Sequence, residues 1–249
     1  AEEASLVRLE TRDDGVATMM LCRPAKLNSL SLPMIVDLTK SYSELGAAGT
    51  RCVLLRGEGR ALCAGGDVAE VRQGVLDGTR YPADFFYKEY YLDYQIATLH
   101  QRQQIVQVAF WDGIVMGGGV GLSVHSPIRI ATEKTMFAMP ETLIGLFPDV
   151  GATWALSRLK AGVPFGLFIA LTGTRLTAAD CMFAGLATHY CPSERLGDVE
   201  AAVRALGARA SDVEAVSKAV SEASGGACPD ETKASLAANA DGIERCFGS

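Results

Sequence analysis

The sequence has 249 residues, of which 49% are hydrophobic and 21% charged, and its formal net charge is −6. This composition is typical of a globular protein and argues against a mostly disordered chain. The net acidity argues against a dedicated nucleic-acid binder. The sequence contains no run of 18 apolar residues, so no membrane span is predicted. The first residues contain neither a basic leader nor an apolar segment, so we expect no targeting peptide in this sequence.

Cysteine and histidine usage argues against a metal site. The seven cysteines are scattered, no C-x-x-C pair occurs, and there are only three histidines. We therefore expect no metal and no disulfide framework, and a reducing compartment fits this pattern better.

The first 55 residues predict the element order β-β-α-β. Strands are expected from Val7 to Leu9 and over 16–21. Ser31 is expected to cap a helix, and the apolar run over 52–55 predicts a buried strand.

The middle of the chain continues this alternation, which favours an α/β layered domain. Residues 62–67 are expected to form a loop in which Asp67 caps the next helix. The aromatic-rich segment 81–100 predicts a helix, and a buried helix is expected over 120–124. Further strands are expected over 105–110, 114–116, 128–131 and 135–138.

The last part of the chain predicts mainly helices. They are expected over 149–159, 164–171, 178–184 and 192–206. Thr177 is the expected N-cap and Gly185 the expected stop of the third of these helices. After residue 207 the composition predicts small helices without a core of their own. We therefore divide the chain into a core over 1–206 and a helical C-terminal extension over 207–249.

Two glycine clusters lie between an apolar strand and a helix, namely Gly65-Gly66 and Gly117-Gly118-Gly119. The first N–H groups of a helix have no intrahelical partner, and glycine lets a ligand approach the backbone closely. Two such N–H groups can form an oxyanion hole. The alternative is that the glycines only permit tight turns or close packing. Neither cluster forms G-x-G-x-x-G or a P-loop motif, which disfavours a nucleotide site.

Two carboxylates, Glu141 and Asp149, each follow a proline in an otherwise apolar stretch. An acid in apolar surroundings has a raised pKa and can exchange protons near neutrality. For Asp149 the position at a predicted helix start fits an N-cap equally well. Glu141 has no capping pattern and is the stronger catalytic candidate.

Other polar residues have a simpler structural interpretation. Cys63 adjoins the first glycine cluster, but no histidine is near it in sequence, so a small buried cysteine is expected. His125 and His189 are expected to be satisfied core histidines. Glu89 stands among tyrosines, and an exposed helix position is its default interpretation.

Four motifs occur in a fixed order along residues 6–205. They are Arg23-Pro24-x-Lys26-x-Asn28-Ser29-Leu30, Cys63-Ala64-Gly65-Gly66-Asp67, Asp112-Gly113-x-x-x-Gly117-Gly118-Gly119 and Pro140-Glu141-x-x-x-Gly145-x-x-Pro148. Together they resemble the enoyl-CoA hydratase/isomerase (crotonase) superfamily. The resemblance implies a spiral of ββα units with two roughly perpendicular sheet layers and a helical C-terminal region.

The resemblance also implies an acyl-CoA thioester as the ligand, so that coenzyme A is part of the substrate and no separate cofactor is expected. The N–H groups of Gly66 and Gly118 would hold the thioester oxygen. The loops at Lys26-Leu27 and Ala64-Gly65 would cradle the CoA. Trimers or hexamers are the assembly that the resemblance implies, with neither nucleic acid nor a membrane as a partner.

Two further stretches narrow the branch. Gly145-Leu146-Phe147-Pro148-Asp149-Val150-Gly151 and Phe85-Phe86-x-x-Glu89-Tyr90 are similar to the 3-hydroxyisobutyryl-CoA hydrolases. In that branch Glu141 and Asp149 carry catalysis, and Glu89 lines the substrate site. Hydratases of the superfamily have a second glutamate just after the triple glycine, and here that position is Gly121. Hydration uses a pair of acids around one water, so this departure disfavours it.

The sequence thus predicts an acyl-CoA thioester hydrolase, with 3-hydroxyisobutyryl-CoA of valine catabolism as the expected substrate. Whether Glu141 acts as nucleophile or as general base stays open. The alternatives are an enoyl-CoA hydratase or isomerase and a catalytically silent paralogue that binds CoA or RNA. The resemblance implies the mitochondrial matrix for a eukaryotic chain and the cytoplasm for a bacterial one. It also implies that the C-terminal extension is incomplete relative to the branch.

Overall fold

The computed structural model describes residues 5–229 and 234–248. Its strands are short and largely apolar, as expected for strands that are covered on both faces. They are β1 (Val7–Glu10), β2 (Val16–Leu21), β3 (Cys52–Gly57), β4 (Ala61–Cys63), β5 (Val106–Trp111), β6 (Ile114–Met116), β7 (Ile128–Ala131), β8 (Met136–Ala138) and β9 (His189–Tyr190).

The strands form two sheets. The larger sheet has the order β1-β2-β3-β5-β7-β9, and the smaller one has the order β4-β6-β8. Only the β1–β2 pair is antiparallel, and every other pair is parallel. Three times in succession the chain leaves the larger sheet and enters the smaller one, as β3–β4, β5–β6 and β7–β8. This repetition confirms the predicted α/β spiral of ββα units with two sheet layers.

Helices cover the sheets and fill the second half of the described chain. They are α1 (Leu32–Glu44), α2 (Val68–Leu76), α3 (Tyr81–Ala97), α4 (Leu99–Gln103), α5 (Gly118–Gly121), α6 (Ala152–Leu156), α7 (Val163–Thr172), α8 (Ala178–Ala184), α9 (Leu196–Arg204), α10 (Val213–Ala223), α11 (Ser235–Ala238) and α12 (Ala240–Phe247). Short 3₁₀ segments lie at Pro24–Lys26, Glu141–Ile144, Ser193–Arg195 and Gly207–Ser211.

The predicted helix ends are confirmed where one local interaction defines them. The Asp67 side chain accepts a hydrogen bond from the N–H of Glu70 at the start of α2. Thr177 and Asp180 form a reciprocal capping box at the start of α8. Gly185 ends α8 with φ +79°, a conformation that glycine adopts without a steric penalty. Ser31 occupies the N-cap of α1 without a capping hydrogen bond.

Four predicted boundaries are wrong. Residues 61–63, which overlap the predicted loop over 62–67, are strand β4, because they pair with β6 in the smaller sheet. The predicted helix over 120–124 is the single turn α5, after which the Ser123 hydroxyl bonds the carbonyl of Gly119. A short polar side chain of this kind competes with the helical backbone. Residues 193–195 are 3₁₀, so the helix expected over 192–206 is shorter.

The fourth error concerns the predicted helix over 149–159, which is reduced to α6. Val150 and Gly151 both have left-handed backbone angles, with φ +48° and +77°. A helix cannot pass through such residues, and Gly151 is its N-cap. The predicted N-cap role of Asp149 is therefore wrong, which leaves its side chain available for the cavity described below.

The C-terminal helices complete two apolar cores. Val216 and Val220 of α10 join Val199 and Val203 of α9 against the outer face of the larger sheet. Leu236 and Ile243 join the other core, which contains most of the remaining buried apolar residues. This arrangement agrees with the prediction that the small helices have no core of their own. The division at residue 206 stays a prediction, and residues 230–233 and 249 of the extension lie outside the described residues.

Candidate active site

A cavity of about 260 Å³ lies where both glycine clusters meet the acidic segment. Seven of the nine predicted site residues line it, namely Ala64, Gly65, Gly66, Glu89, Gly118, Glu141 and Asp149. We call it the site cavity. Lys26 and Leu27 are not part of its lining. They lie beside it, because the carbonyl of Leu27 accepts a hydrogen bond from the N–H of Ala64 at 3.0 Å.

The loop that holds Leu27 is fixed by polar contacts. Asn28 has a left-handed backbone (φ +55°), and its buried side chain donates to the carbonyls of Glu58 and Ala61. Arg23 pairs with Asp67 at 2.9 Å, which ties the loop to the start of α2. The two loops expected to hold CoA are thereby held next to each other.

The two glycine clusters lie next to each other in the wall of the cavity. A Cβ built on Gly118 would lie 3.5 Å from the backbone nitrogen of Gly66. Gly118 is the first residue of α5, so its N–H has no intrahelical acceptor. Gly66 forms a parallel bridge with Leu30 through the backbone bonds of its two neighbours, so its own N–H faces away from Leu30. Both N–H groups are thus free of secondary-structure bonding and belong to neighbouring residues in the lining of the site cavity.

Glu141 begins a 3₁₀ segment beside the second glycine cluster. The residue is 6% exposed, and its Oε2 has no hydrogen-bond partner among the described residues. A Cβ on Gly117, whose φ is +51°, would lie 2.9 Å from its other carboxylate oxygen. Burial and the charge of Asp149 raise the pKa of Glu141 to about 7. Glu141 can therefore exchange protons near neutrality.

Glu89 lies on α3 and is only 3% exposed, so the default interpretation of an exposed helix position is wrong. Its carboxylate is in contact with Gly118, where a Cβ would collide with Oε1. Burial, followed by the charges of Asp149 and Glu141, raises the pKa of Glu89 to about 8. Glu89 is therefore mostly protonated at neutral pH and can donate a hydrogen bond into the cavity.

Asp149 faces the cavity from the segment before α6. Its Oδ2 accepts a hydrogen bond from the Tyr90 hydroxyl at 2.7 Å. Burial raises its pKa, although the bond from Tyr90 acts in the opposite direction. Of the three acids at the site cavity, Asp149 is the half-buried one, with a donor already in place for its ionised form.

Sequence reasoning missed one acid next to these three. Asp93 is 6% exposed and lies one helical turn beyond Glu89, so both side chains project from the same face of α3. Burial and the charges of Glu89 and Asp149 raise its pKa well above the usual range. Two acids four positions apart in an aromatic helix could have indicated a functional site. Like charges at this spacing destabilise a helix, so their presence calls for another reason.

The cysteine interpretation agrees with the structure, whereas the expected core position of His125 and His189 is wrong, because both are only half-buried. Cys63 is fully buried between the glycine clusters, and burial raises the pKa of its thiol to about 12, so it is not a reactive thiolate. His189 contacts Thr188 and Ser217 through its two ring nitrogens. The ring centroid of His125 lies 5.8 Å from that of Trp154, with an angle of 53° between the ring planes.

Within residues 5–229 and 234–248, no group of three or more metal-ligating side chains is present. No helix of the same residues has the length and apolarity needed to cross a membrane.

The chain is similar to known proteins along nearly its whole length. A family model described as enoyl-CoA hydratase/isomerase matches residues 16–249. The sequence is 48% identical over 202 residues to 3-hydroxyisobutyryl-CoA hydrolase 1 of Arabidopsis thaliana, covering 80% of this chain and 50% of the relative. It is 45% identical over 197 residues to the mitochondrial 3-hydroxyisobutyryl-CoA hydrolase of Xenopus laevis, covering 77% and 49%. The chain thus spans about half the length of the curated relatives it matches.

Solved structures share the fold. An enoyl-CoA hydratase from Rhodobacter sphaeroides 2.4.1 superposes with a TM-score of 0.80 at 30% identity, covering 98% of this chain and 67% of the other. A carnitinyl-CoA dehydratase from Mycobacterium thermoresistibile gives a TM-score of 0.80 at 34% identity, with the same coverage.

Proposed function

Because the chain belongs to the enoyl-CoA hydratase/isomerase family, we propose that its site binds an acyl-CoA thioester and hydrolyses it. The observation that carries this proposal is the meeting of three buried or half-buried acids with two unbonded glycine N–H groups at one cavity. The same cavity contains no acid from position 121, which is Gly121. The segment after the triple glycine therefore does not supply the second acid that the addition of water to a double bond would use.

The proposed substrate is 3-hydroxyisobutyryl-CoA, after the names of the relatives that match at 42–48% identity. A β-hydroxyacyl group needs a polar partner for its hydroxyl, and Glu89 and Asp149 both line the site cavity. The CoA would lie along Lys26-Leu27 and Ala64-Gly65, outside the acidic part. Coenzyme A is then part of the substrate, and no further cofactor is proposed.

The chemical step follows from the placement of these groups. The N–H groups of Gly66 and Gly118 polarise the thioester carbonyl and stabilise the negative charge that develops on its oxygen. Glu141 either attacks the carbonyl carbon or removes a proton from the attacking water, and both roles require its ionised form. In the general-base route the water oxygen forms the new C–O bond as the C–S bond breaks. In the nucleophilic route the Glu141 carboxylate forms that bond, and a water then cleaves the mixed anhydride and restores Glu141. In both routes the CoA sulfur leaves as a thiol, with one of the protons of the consumed water, and the carboxylic acid product ionises. Asp149, oriented by Tyr90, binds the substrate hydroxyl or the water.

The second candidate function is that of an enoyl-CoA hydratase, which the solved structure from Rhodobacter sphaeroides favours by its name. The third candidate is a catalytically silent paralogue that binds CoA, although Glu141 and Asp149 would then have no catalytic role. We also propose a homo-oligomer, such as a trimer or hexamer. A mitochondrial location is proposed from the names of the animal relatives.

One assay separates these functions. The protein is incubated with 3-hydroxyisobutyryl-CoA and with crotonyl-CoA, while free thiol and enoyl absorbance are followed in parallel. We expect thiol release from the hydroxyacyl substrate and little loss of the enoyl signal. Rapid loss of enoyl absorbance without thiol would establish the hydratase, and no change in either signal, with CoA still bound, would establish the silent paralogue.

A further inference from the structure

Three glycines at the site have one kind of contact in common. Gly66, Gly118 and Gly121 do not have left-handed backbone angles, so the sign of φ alone does not require glycine at these positions. The space that a Cβ atom would need at each of them is instead occupied by a side chain of the aromatic helix α3. The packing of α3 therefore explains why these positions have no side chain.

The first two contacts involve the two proposed oxyanion donors. A Cβ on Gly66 would lie 2.9 Å from Cζ of Phe85. A Cβ on Gly118 would collide with Oε1 of Glu89. Each residue that carries a proposed N–H donor is thus in direct contact with one side chain of α3.

The third contact continues the same row. A Cβ on Gly121 would lie 2.7 Å from Oδ1 of Asp93 and 2.6 Å from Cβ of Val150. Phe85, Glu89 and Asp93 are four positions apart on α3, so they project from one face of the helix. This face packs on the backbone that carries both N–H donors, and it therefore limits where that backbone can lie.

Phe85 is the apolar member of this row and the one that contacts Gly66. Apart from the chain neighbours of Gly66, Phe85 is the only described residue within 4 Å of the missing Cβ. Its side chain is buried and belongs to the lining of the site cavity. Gly66 is also bridged to Leu30 through the backbone. The phenyl ring and this bridge together confine the peptide that carries the Gly66 N–H.

The ring of Phe85 is itself fixed by its neighbours. It packs edge-on against Phe86, with 5.5 Å between the ring centroids, and stacks on Tyr81 at 6.2 Å. The Tyr81 hydroxyl donates a hydrogen bond to Glu70 and accepts one from the N–H of Leu32 at 3.3 Å. Residues of α1, α2 and α3 therefore determine the position of the ring.

We propose that Phe85 is a positioning residue that keeps the N–H of Gly66 directed at the thioester oxygen. The inference rests on the proposed function, in which the N–H groups of Gly66 and Gly118 stabilise that oxygen. With a smaller side chain at position 85, the peptide at Gly66 can move into the vacated space. A displacement of about 1 Å at a reacting group can cost roughly a hundredfold in rate.

The kinetic test is Phe85→Leu. We expect kcat for thiol release to fall by roughly tenfold to a hundredfold, with KM unchanged within about threefold, because the N–H acts mainly in the transition state. Phe110→Leu is the matched control, since Phe110 is equally buried but belongs to the other apolar core. It should lower the melting temperature by a similar amount and keep the wild-type kcat. A wild-type kcat in Phe85→Leu, or an equal loss in both variants, would refute the role of Phe85.

A double substitution tests the contact itself. Gly66→Ala should lower kcat by roughly a hundredfold, because its Cβ meets the Phe85 ring and displaces the N–H. In Gly66→Ala/Phe85→Leu the new methyl group occupies space that the ring has left, so the double variant should be no slower than the slower single variant. Independent effects would multiply, and a double variant with the product of both losses would overturn the inference.

The carbonyl stretch of a bound ligand supplies a readout that does not depend on turnover. The probe is a dethia analogue of 3-hydroxyisobutyryl-CoA, in which a methylene group replaces the thioester sulfur and the carbonyl carbon is isotopically labelled. Hydrogen bonds to the carbonyl oxygen weaken the C=O bond, so the infrared band should lie at a lower frequency in the complex than in solution. We expect this shift in the wild type and in Phe110→Leu, and the loss of most of it in Phe85→Leu.

The infrared result separates this inference from the proposed function. An equal shift in the wild type and in Phe85→Leu would overturn the inference even if the protein hydrolyses thioesters. A shift that depends on Phe85, in a protein that releases no thiol, would overturn the proposed hydrolysis and support the positioning role.

Discussion

The acids of the site should lower the stability of the protein as the pH rises, and Glu89 offers a quantitative test. Burial, followed by the charges of Asp149 and Glu141, raises its pKa from 4.5 to about 8. The folded chain therefore holds Glu89 protonated, whereas the unfolded chain ionises it above about pH 4.5. A carboxyl with a raised pKa contributes stability that is fully present below the unfolded value and is lost as the pH rises through the folded value.

The magnitude follows from these two pKa values. One pKa unit corresponds to about 1.36 kcal/mol, so between pH 5 and pH 8 Glu89 alone should lower the free energy of unfolding by roughly 3 kcal/mol. Glu89→Gln keeps the shape of the side chain and cannot ionise. The free energy of unfolding of this variant should therefore decrease by roughly 3 kcal/mol less than that of the wild type over the same pH interval.

The assay is urea unfolding at pH 5, 6.5 and 8, followed by the fluorescence of the buried Trp111. Asp84→Asn, on the same helix but outside the acid cluster, serves as the control and should follow the wild type at each pH. If the wild type and Glu89→Gln lose the same stability between pH 5 and pH 8, Glu89 does not reside in a desolvated, acidic environment. The interpretation of the site cavity as a cluster of protonated and ionised acids would then be wrong.

Three further predictions concern turnover. Glu141→Gln should reduce thiol release by roughly 10²–10⁴-fold, because the carboxylate is lost. The wild-type kcat should rise through about pH 7 as Glu141 ionises. A wild-type rate that is independent of pH near 7 would contradict this role. Gly118→Ala should lower kcat by roughly 10²–10³-fold, because the new Cβ collides with the Glu89 carboxylate and displaces the N–H. A folded variant with the wild-type rate would show that the Gly118 N–H does not stabilise the thioester oxygen. Cys63→Ala should stay active, since burial raises the pKa of its thiol to about 12 and keeps it from forming a thiolate. An inactive but folded variant with wild-type CoA affinity, measured by calorimetry, would assign the nucleophile to Cys63.

The sequence predicts features that depend on a few neighbouring residues. Asp67 and Thr177 cap their helices as expected, because the bonds they accept come from residues three positions further on. The glycine clusters and Glu141, which the sequence singled out separately, follow β4, β6 and β8 of the smaller sheet and meet at one cavity. In these cases the local pattern contains most of the physical information.

Features that depend on distant contacts were not predictable in this way. Asp149 has the sequence surroundings of an N-cap, but its partner is Tyr90 on α3, and the left-handed Val150 delays the helix. Asp93 is defined by its contact with Gly121, which comes 28 positions later in the chain. No local pattern indicates which face of the aromatic helix α3 is buried against the triple-glycine turn. For this reason the residue pattern predicts an exposed position for Glu89 and does not single out Asp93.

The distribution of the acids over the fold explains how one cavity can hold both protonated and ionised carboxyls. Glu89 comes from a helix and Glu141 from a 3₁₀ segment at the end of the smaller sheet, and both are nearly buried. Asp149 comes from an irregular segment, is half-buried, and has the Tyr90 hydroxyl as a donor. Different burial and different hydrogen-bond donors separate the pKa values of neighbouring carboxyl groups. The group with the higher pKa can then act as the acid and the group with the lower pKa as the base. The protonated member is therefore expected at Glu89, while Glu141, with a pKa of about 7, can change its state during the reaction. At Asp149 the hydrogen bond from Tyr90 opposes the effect of burial on the pKa and favours the ionised form.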